Sequence, residues 1–232
     1  MRVIDCEQGT QEWIDARLGI PTASNFDKII TPKELKPSKS QEPYLARLLA
    51  EWLIGHSLDE EVSQFMERGT ELEEKGVSKY EWERDITNDG IQKIGFALRD
   101  DLEAGASPDR LIDDDGLLEV KTPAAHTHVM YMLSGDKLTD EYRMQVQGQL
   151  WVTGRKWCDI ISHHPTLPMV VVRCEPDPQV MAAFDKNIPP FCAALSALKA
   201  KYAEYRRVRK PAPVRDADPF ATTNPTAEYS PF

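Results

Sequence analysis

The stretch Ser107-Pro108-Asp109-Arg110-Leu111-Ile112-Asp113-Asp114-Asp115-Gly116-Leu117-Leu118-Glu119-Val120-Lys121 constrains the fold more than any other. Two short apolar pieces, Leu111-Ile112 and Leu117-Leu118, flank an Asp-Asp-Asp-Gly cluster, which reads as a hairpin turn between two strands. Asp109 then stands at the entry of the first strand. Glu119 and Lys121, two residues apart, share one face of the second. A carboxylate from each strand with an ammonium beside them makes a seat for a hard divalent cation, and the lysine could hold a water or a phosphate oxygen. Such a site suits metal-assisted phosphodiester hydrolysis. Pro-Asp…Glu-Val-Lys is a common pattern by itself, so the rest of the chain has to support it.

A length of 232 residues suffices for one domain with its own core. No apolar run approaches the ~18 residues of a membrane span. The first residues lack the apolar core of a signal peptide, so a cytoplasmic protein is expected. Cys6, Cys158, Cys174 and Cys192 form no Cys-x-x-Cys pair, which argues against zinc or redox chemistry. Their spacing is also too wide for the iron–sulfur staple of some nucleases, and partly buried thiols are expected. The net charge of −10 argues against coating nucleic acid non-specifically, but an acidic exterior can surround a local basic channel.

Thr10 before Trp13, Ile14 and Leu18 predicts a capped helix closed by Gly19, with a second short helix from Pro21-Thr22 to Ile30. Arg17 and Ser24 flank the junction, where guanidinium, hydroxyl and helix N-terminal amides suit an anion; an ordinary surface arginine and N-cap serine are the alternative. A polar loop over residues 31–43 leads to an amphipathic helix from Tyr44 to near Gly55. The helix predicted over Val62–Trp82 puts Glu73 on the stripe of Met66, Gly69, Thr70, Val77 and Tyr80, so that carboxylate either meets a metal or is one more solvated acid.

A strand is predicted over residues 91–98. His126 and His128 read as loop or surface residues, since no third ligand has metal-site spacing. A helix over Leu138–Val152 carries Gln145, Gln147 and Gln149, which could serve a nucleic-acid backbone or metal-bound water, or simply edge the core. Strands follow over Trp157–His164 and Met169–Cys174. A long helix runs over Pro178–Tyr205, with Pro189-Pro190 expected to break or kink it. Residues 1–210 read as one domain, and 211–232, rich in proline, as a disordered tail. The expected class is α/β (mixed α+β), a central mixed sheet flanked by helices.

Four stretches resemble the phage lambda exonuclease group (YqaJ-like viral recombinases) of the PD-(D/E)xK nuclease superfamily, whose core is restriction-endonuclease-like. They are Trp13…Ala16-Arg17-Leu18-Gly19-Ile20-Pro21-Thr22-Ala23-Ser24, Gly69…Glu73, Ser107-Pro108-Asp109…Glu119-Val120-Lys121 and Gln145-Val146-Gln147…Leu150-Trp151-Val152-Thr153. The resemblance implies a processive, magnesium-dependent 5′-to-3′ exonuclease that acts on linear duplex DNA and leaves mononucleotides and a 3′ single strand. It implies two Mg2+ ions, with Mn2+ as substitute, held by Asp109, Glu119 and the Val120 carbonyl. Lys121 would orient or deprotonate the attacking water, Glu73 would assist, and Gln147 would be the helix glutamine beside the metals. Arg17, Ser24 and Ser107 would form the 5′-phosphate pocket, with Trp13 and Gln145 also on the DNA. The resemblance further implies a homotrimeric ring and a single-strand annealing protein as partner.

Two other readings stay open. One is an endonuclease or junction resolvase on the same scaffold; the other is a non-catalytic DNA-end-binding protein.

Overall fold

The computed structural model describes residues 1–58, 64–86 and 90–206, with side chains in the second segment from residue 71. Its strands are β1 (Arg2–Ile4), β2 (Ile91–Gln92), β3 (Phe96–Leu98), β4 (Gly105–Ala106), β5 (Arg110–Ile112), β6 (Gly116–Lys121), β7 (Trp157–Ser162) and β8 (Val170–Cys174). Its α-helices are α1 (Gln11–Arg17), α2 (Gln41–Ile54), α3 (Gln64–Arg84), α4 (Ala125–Leu133), α5 (Gly135–Thr153) and α6 (Pro178–Lys201). A 3-10 helix spans Ala23–Lys28.

The larger sheet has the order β2-β5-β6-β7-β8. Its β6 and β7 run parallel and the other neighbours antiparallel, so the sheet is mixed. A parallel pair needs a crossover, and α4 with α5 supplies it. A second, antiparallel sheet joins β1, β3 and β4.

Alternation along the strands sorts side chains between helices on the two faces. Leu117, Cys158 and Ile160 pack with Leu138, Val146 and Leu150 of α5. Leu118, Val120 and Ile161 pack with Val77 and Tyr80 of α3. The parity of β6 therefore sends Glu119 and Lys121 toward α5. The opposite parity of β7 sends Asp159 to α3, where Tyr80 donates to it at 2.6 Å and Arg173 at 2.7 and 2.9 Å.

A third cluster joins α2, α6 and the 3-10 helix to α5, with Phe26, Trp151 and Phe184 meeting edge-to-face at 5.3–5.9 Å. Gly148 allows this approach: a Cβ there would stand 2.9 Å from that of Ala23 and 2.8 Å from the Phe26 ring. The contact brings the segment bearing Ser24 against the α5 glutamines.

The short helix expected after Pro21 forms, as a 3-10 helix. Three expectations need correction. The strand over 91–98 is two strands in different sheets; the chain crosses at Gly95, where a side chain would collide with the Cys6 carbonyl. His128 is buried, not a surface residue: one ring nitrogen meets Ser162 Oγ at 2.7 Å and the other the Pro168 carbonyl at 3.0 Å. Helix α6 passes through Pro189-Pro190 unbroken, because Phe184, Ile188, Phe191 and Leu195 bury it on either side of them. The predicted tail and the Met66, Gly69 and Thr70 side chains lie outside the described residues.

Candidate active site

The hairpin forms as its turn chemistry requires. Arg110 pairs with Leu118 and Ile112 with Gly116, while Asp113 takes the left-handed conformation at φ 44°. Arg155 Nη1 gathers the carbonyls of Ile112, Asp113 and Gly116 at 2.7–3.0 Å. Asp115 bonds the Lys156 ammonium at 2.9 Å. Asp113 and Asp115 thus belong to the turn.

Extending the register puts Pro108 opposite Val120. Proline has no N–H, so it cannot donate to the Val120 carbonyl. The Val120 N–H finds another partner, donating to Asp109 Oδ2 at 2.6 Å. The ladder therefore ends at a point where a main-chain carbonyl lacks its ladder donor beside two acidic side chains.

Glu119, only 3% exposed, accepts three hydrogen bonds. Lys121 Nζ donates to Oε1 at 2.6 Å, Gln145 Nε2 to Oε1 at 2.5 Å, and Gln149 Nε2 to Oε2 at 2.6 Å. Lys121 Nζ also lies 4.4 Å from the Tyr142 ring centre. Burial pushes the lysine's pKa down, but the Glu119 carboxylate outweighs it and holds Lys121 above its ordinary value.

Asp109 is driven well above the usual carboxylate range by burial and then by the charges of Glu119 and Glu73. Glu73 is also raised, chiefly by burial, although Arg110 and Lys93 oppose the shift. Arg110 lies on the α3 side of β5, 3.6 Å from Glu73 and hydrogen-bonded to Glu74. Burial is thus the leading obstacle to ionising both carboxyls, ahead of the charges around them.

A cavity of about 170 Å³ opens from Asp109, Glu119, Gln145 and Gln149 toward Trp13, Arg17, Ser24 and Ser107. The Arg17 guanidinium stacks 3.9 Å from the Trp13 ring centre. Trp13 Nε1 donates to Ser107 Oγ at 2.9 Å and to the Gly95 carbonyl at 3.1 Å. Ser24 Oγ lies 3.2 Å from Thr22 Oγ1. One cation, the hydroxyls of Thr22, Ser24 and Ser107 and the carboxylates of Asp109 and Glu119 thus line one cavity, an arrangement that can seat an anion beside a hydrolytic centre. Glu73 and Lys121 flank the cavity without lining it.

Gln147 requires a correction. It faces away from this site, donating to the Glu175 carbonyl at 2.8 Å and accepting the Asp177 N–H at 2.7 Å. Helical spacing explains the difference: Gln145 and Gln149 share a face one turn apart, and Gln147 lies between them on the other side. Gln8 was also missed. Its amide donates to the carbonyls of Ile94 and Pro108 at 2.9 and 3.0 Å, fixing the chain just before Asp109. The i, i+4 spacing of Gln145 and Gln149 was a usable signal; for Gln8 the sequence holds none.

Among the described residues, no three His, Cys, Asp or Glu side chains already stand in a ligating arrangement. The donor set nevertheless fits a hard cation: Asp109, Glu119, the Val120 carbonyl and, alongside, Glu73 offer only oxygen. Burial resists the ionisation of Glu73, and burial with the neighbouring carboxylates that of Asp109; a bound cation would favour the ionised forms.

An alkaline exonuclease (LHK-Exo) from Laribacter hongkongensis is 34% identical, with a TM-score of 0.70 over 84% of this chain and 99% of that one. The same figures hold for its complex with dAMP. A phage-related exonuclease from Haemophilus somnus 129PT, 14% identical with a TM-score of 0.61 over 78% of this chain and 96% of that one, shares the fold. No curated protein matches. The model of the YqaJ-like viral recombinase domain matches residues 12–156, and with the larger sheet carrying Asp109, Glu119 and Lys121 between α3 and α5, the chain belongs to that family.

Proposed function

We propose that the chain is a magnesium-dependent exonuclease that degrades one strand of linear duplex DNA processively from its 5′ end. The observation that carries the reading is the single cavity joining Arg17, Ser24 and Ser107 to Asp109 and Glu119. An anion-binding corner beside hydrolytic carboxylates suits an enzyme that seats a 5′-phosphate and cuts the next phosphodiester bond. The related LHK-Exo has been solved with dAMP, a 5′-mononucleotide.

Asp109, Glu119 and the Val120 carbonyl would hold Mg2+, two ions per site, with Glu73 assisting and Mn2+ able to substitute. When bound, such ions would supply a nucleophile at neutral pH and would stabilise the leaving oxygen. Gln145 and Gln149 would keep Glu119 aimed. Lys121 would orient the attacking water or take its proton. Trp13 keeps the Arg17 guanidinium flat against its ring, so the cation is placed before the phosphate arrives.

A chain of net charge −10 gains little from non-specific attraction to DNA. We therefore read it as a homotrimeric ring in which topology maintains contact, passing the 3′ strand to a single-strand annealing protein.

The test uses end-labelled linear duplex carrying 5′-phosphate or 5′-hydroxyl, with Mg2+ or EDTA, beside closed circular duplex. Release of 5′-mononucleotides from the phosphorylated linear substrate, in Mg2+ alone, is expected. Efficient cutting of closed circles, or equal digestion in EDTA, refutes the reading.

A further inference from the structure

We infer that Gln149 positions Glu119 for divalent-cation binding. The inference rests on the metal-dependent reading above. Gln149 is 1% exposed, and its Nε2 donates to Glu119 Oε2 at 2.6 Å. A carboxylate can only accept, so the amide nitrogen must face Glu119 and the amide oxygen must face elsewhere. That oxygen is buried and has no hydrogen-bond partner among the described residues.

The unpaired buried acceptor opposes folding and the charge-assisted bond to Glu119 favours it, so the two halves of this amide act against each other. Its effect falls on Glu119. Lys121 and Gln145 both bond Oε1, which leaves Gln149 as the one described side chain donating to Oε2. Two oxygens held from different directions fix the carboxylate plane; with Oε1 alone held, the group can rotate about that contact. Gln149 also lines the cavity shared by Asp109 and Glu119, so the plane it fixes is the one presented to an entering ion.

For Gln149→Leu and Gln149→Met in the full chain, loss of the one described donor to Glu119 Oε2 should lower the thermal midpoint in EDTA, so metal affinity is measured at a temperature where each variant is folded. Calorimetric titration with Mn2+, without DNA, should show a dissociation constant about tenfold higher, the usual cost of losing a ligand's orienting partner. Kinetics should move accordingly, with the lost rate largely recovered at high metal concentration. If both variants bind Mn2+ as tightly as the parent, the inference falls and the nuclease reading stands. If midpoints drop in EDTA while the folded fraction keeps the parent's affinity, Gln149 is structural and the inference again falls. A parent that binds no divalent cation removes both.

Discussion

Asp109 accepts the Val120 N–H at 2.6 Å, so the side chain of one hairpin strand completes the hydrogen-bonding of the other. The same carboxyl is pushed well above its usual range by burial and by Glu119 and Glu73. It is thus bound into the fold and electrostatically opposed by it. Such opposition is common where a charge is kept for use rather than for stability.

Asp109→Asn should separate these roles. An amide retains an acceptor for the Val120 N–H and removes a carboxylate whose ionisation burial resists. In EDTA the thermal midpoint should rise by about 2 °C or more, the shift expected for roughly 1 kcal/mol in a chain of this size. DNA digestion in Mg2+ should fall by about three orders of magnitude or more. A variant that is both less stable in EDTA and fully active contradicts the assignment of Asp109.

The glutamines give a second test, because structure and sequence disagree there. Gln147→Ala should cost about 1–2 kcal/mol through its lost bonds to Glu175 and Asp177 at the start of α6, with digestion per folded molecule unchanged. Gln145→Ala should do the reverse, leaving stability near the parent's and lowering turnover by at least about tenfold. Chemical denaturation beside initial rates distinguishes the two.

That disagreement shows where the sequence stops being readable. Asp109, Glu119 and Lys121 could be placed because a turn signal and period-2 alternation fix strand faces from local chemistry. The helix junction gives Arg17 and Ser24 two readings, an anion site or ordinary surface residues, and Ser107 enters by resemblance alone; the structure brings all three to one cavity. Choosing among three glutamines on α5 required knowing which helical face meets β6, and that depends on packing of Phe26 and Ala23 against Gly148. The break in the 91–98 strand likewise depends on Cys6, nearly ninety residues earlier in the chain. His128 looked like a loop histidine because its partners, Ser162 and Pro168, are distant in sequence.

Arg17 should govern discrimination at the DNA end rather than chemistry. Its guanidinium rests on Trp13 and lines the same cavity as Ser24 and Ser107. Arg17→Lys keeps the charge but loses the flat fork and its stacking. The preference for 5′-phosphate over 5′-hydroxyl should fall by about tenfold or more, mainly through KM, as expected when a bidentate anion contact is weakened. Turnover on saturating phosphorylated ends should change far less. An unchanged preference would remove Arg17 from the phosphate pocket.

The histidines behind the sheet set the acid limit of stability. Burial lowers the pKa of both His128 and His163, with Lys79 and the neighbouring histidines adding to the effect. His128 has both ring nitrogens engaged, and His163 Nδ1 is buried without a partner among the described residues. A lowered folded-state value means that the unfolded chain binds the extra proton first as pH falls. The stabilising contribution is thus complete above the ordinary histidine value near 6.5 and is lost as pH drops through the lowered folded values. Asp109 and Glu73 act in the opposite direction, since raised carboxyls bind protons more readily in the folded chain. The diagnostic quantity is therefore a difference between proteins. Below pH 6.5, His128→Gln, whose amide can still meet Ser162 and the Pro168 carbonyl, should lose stability with falling pH less steeply than the parent. Denaturation midpoints at pH 8, 6.5 and 5 measure that slope, and parallel curves for the two proteins would show that His128 does not set it.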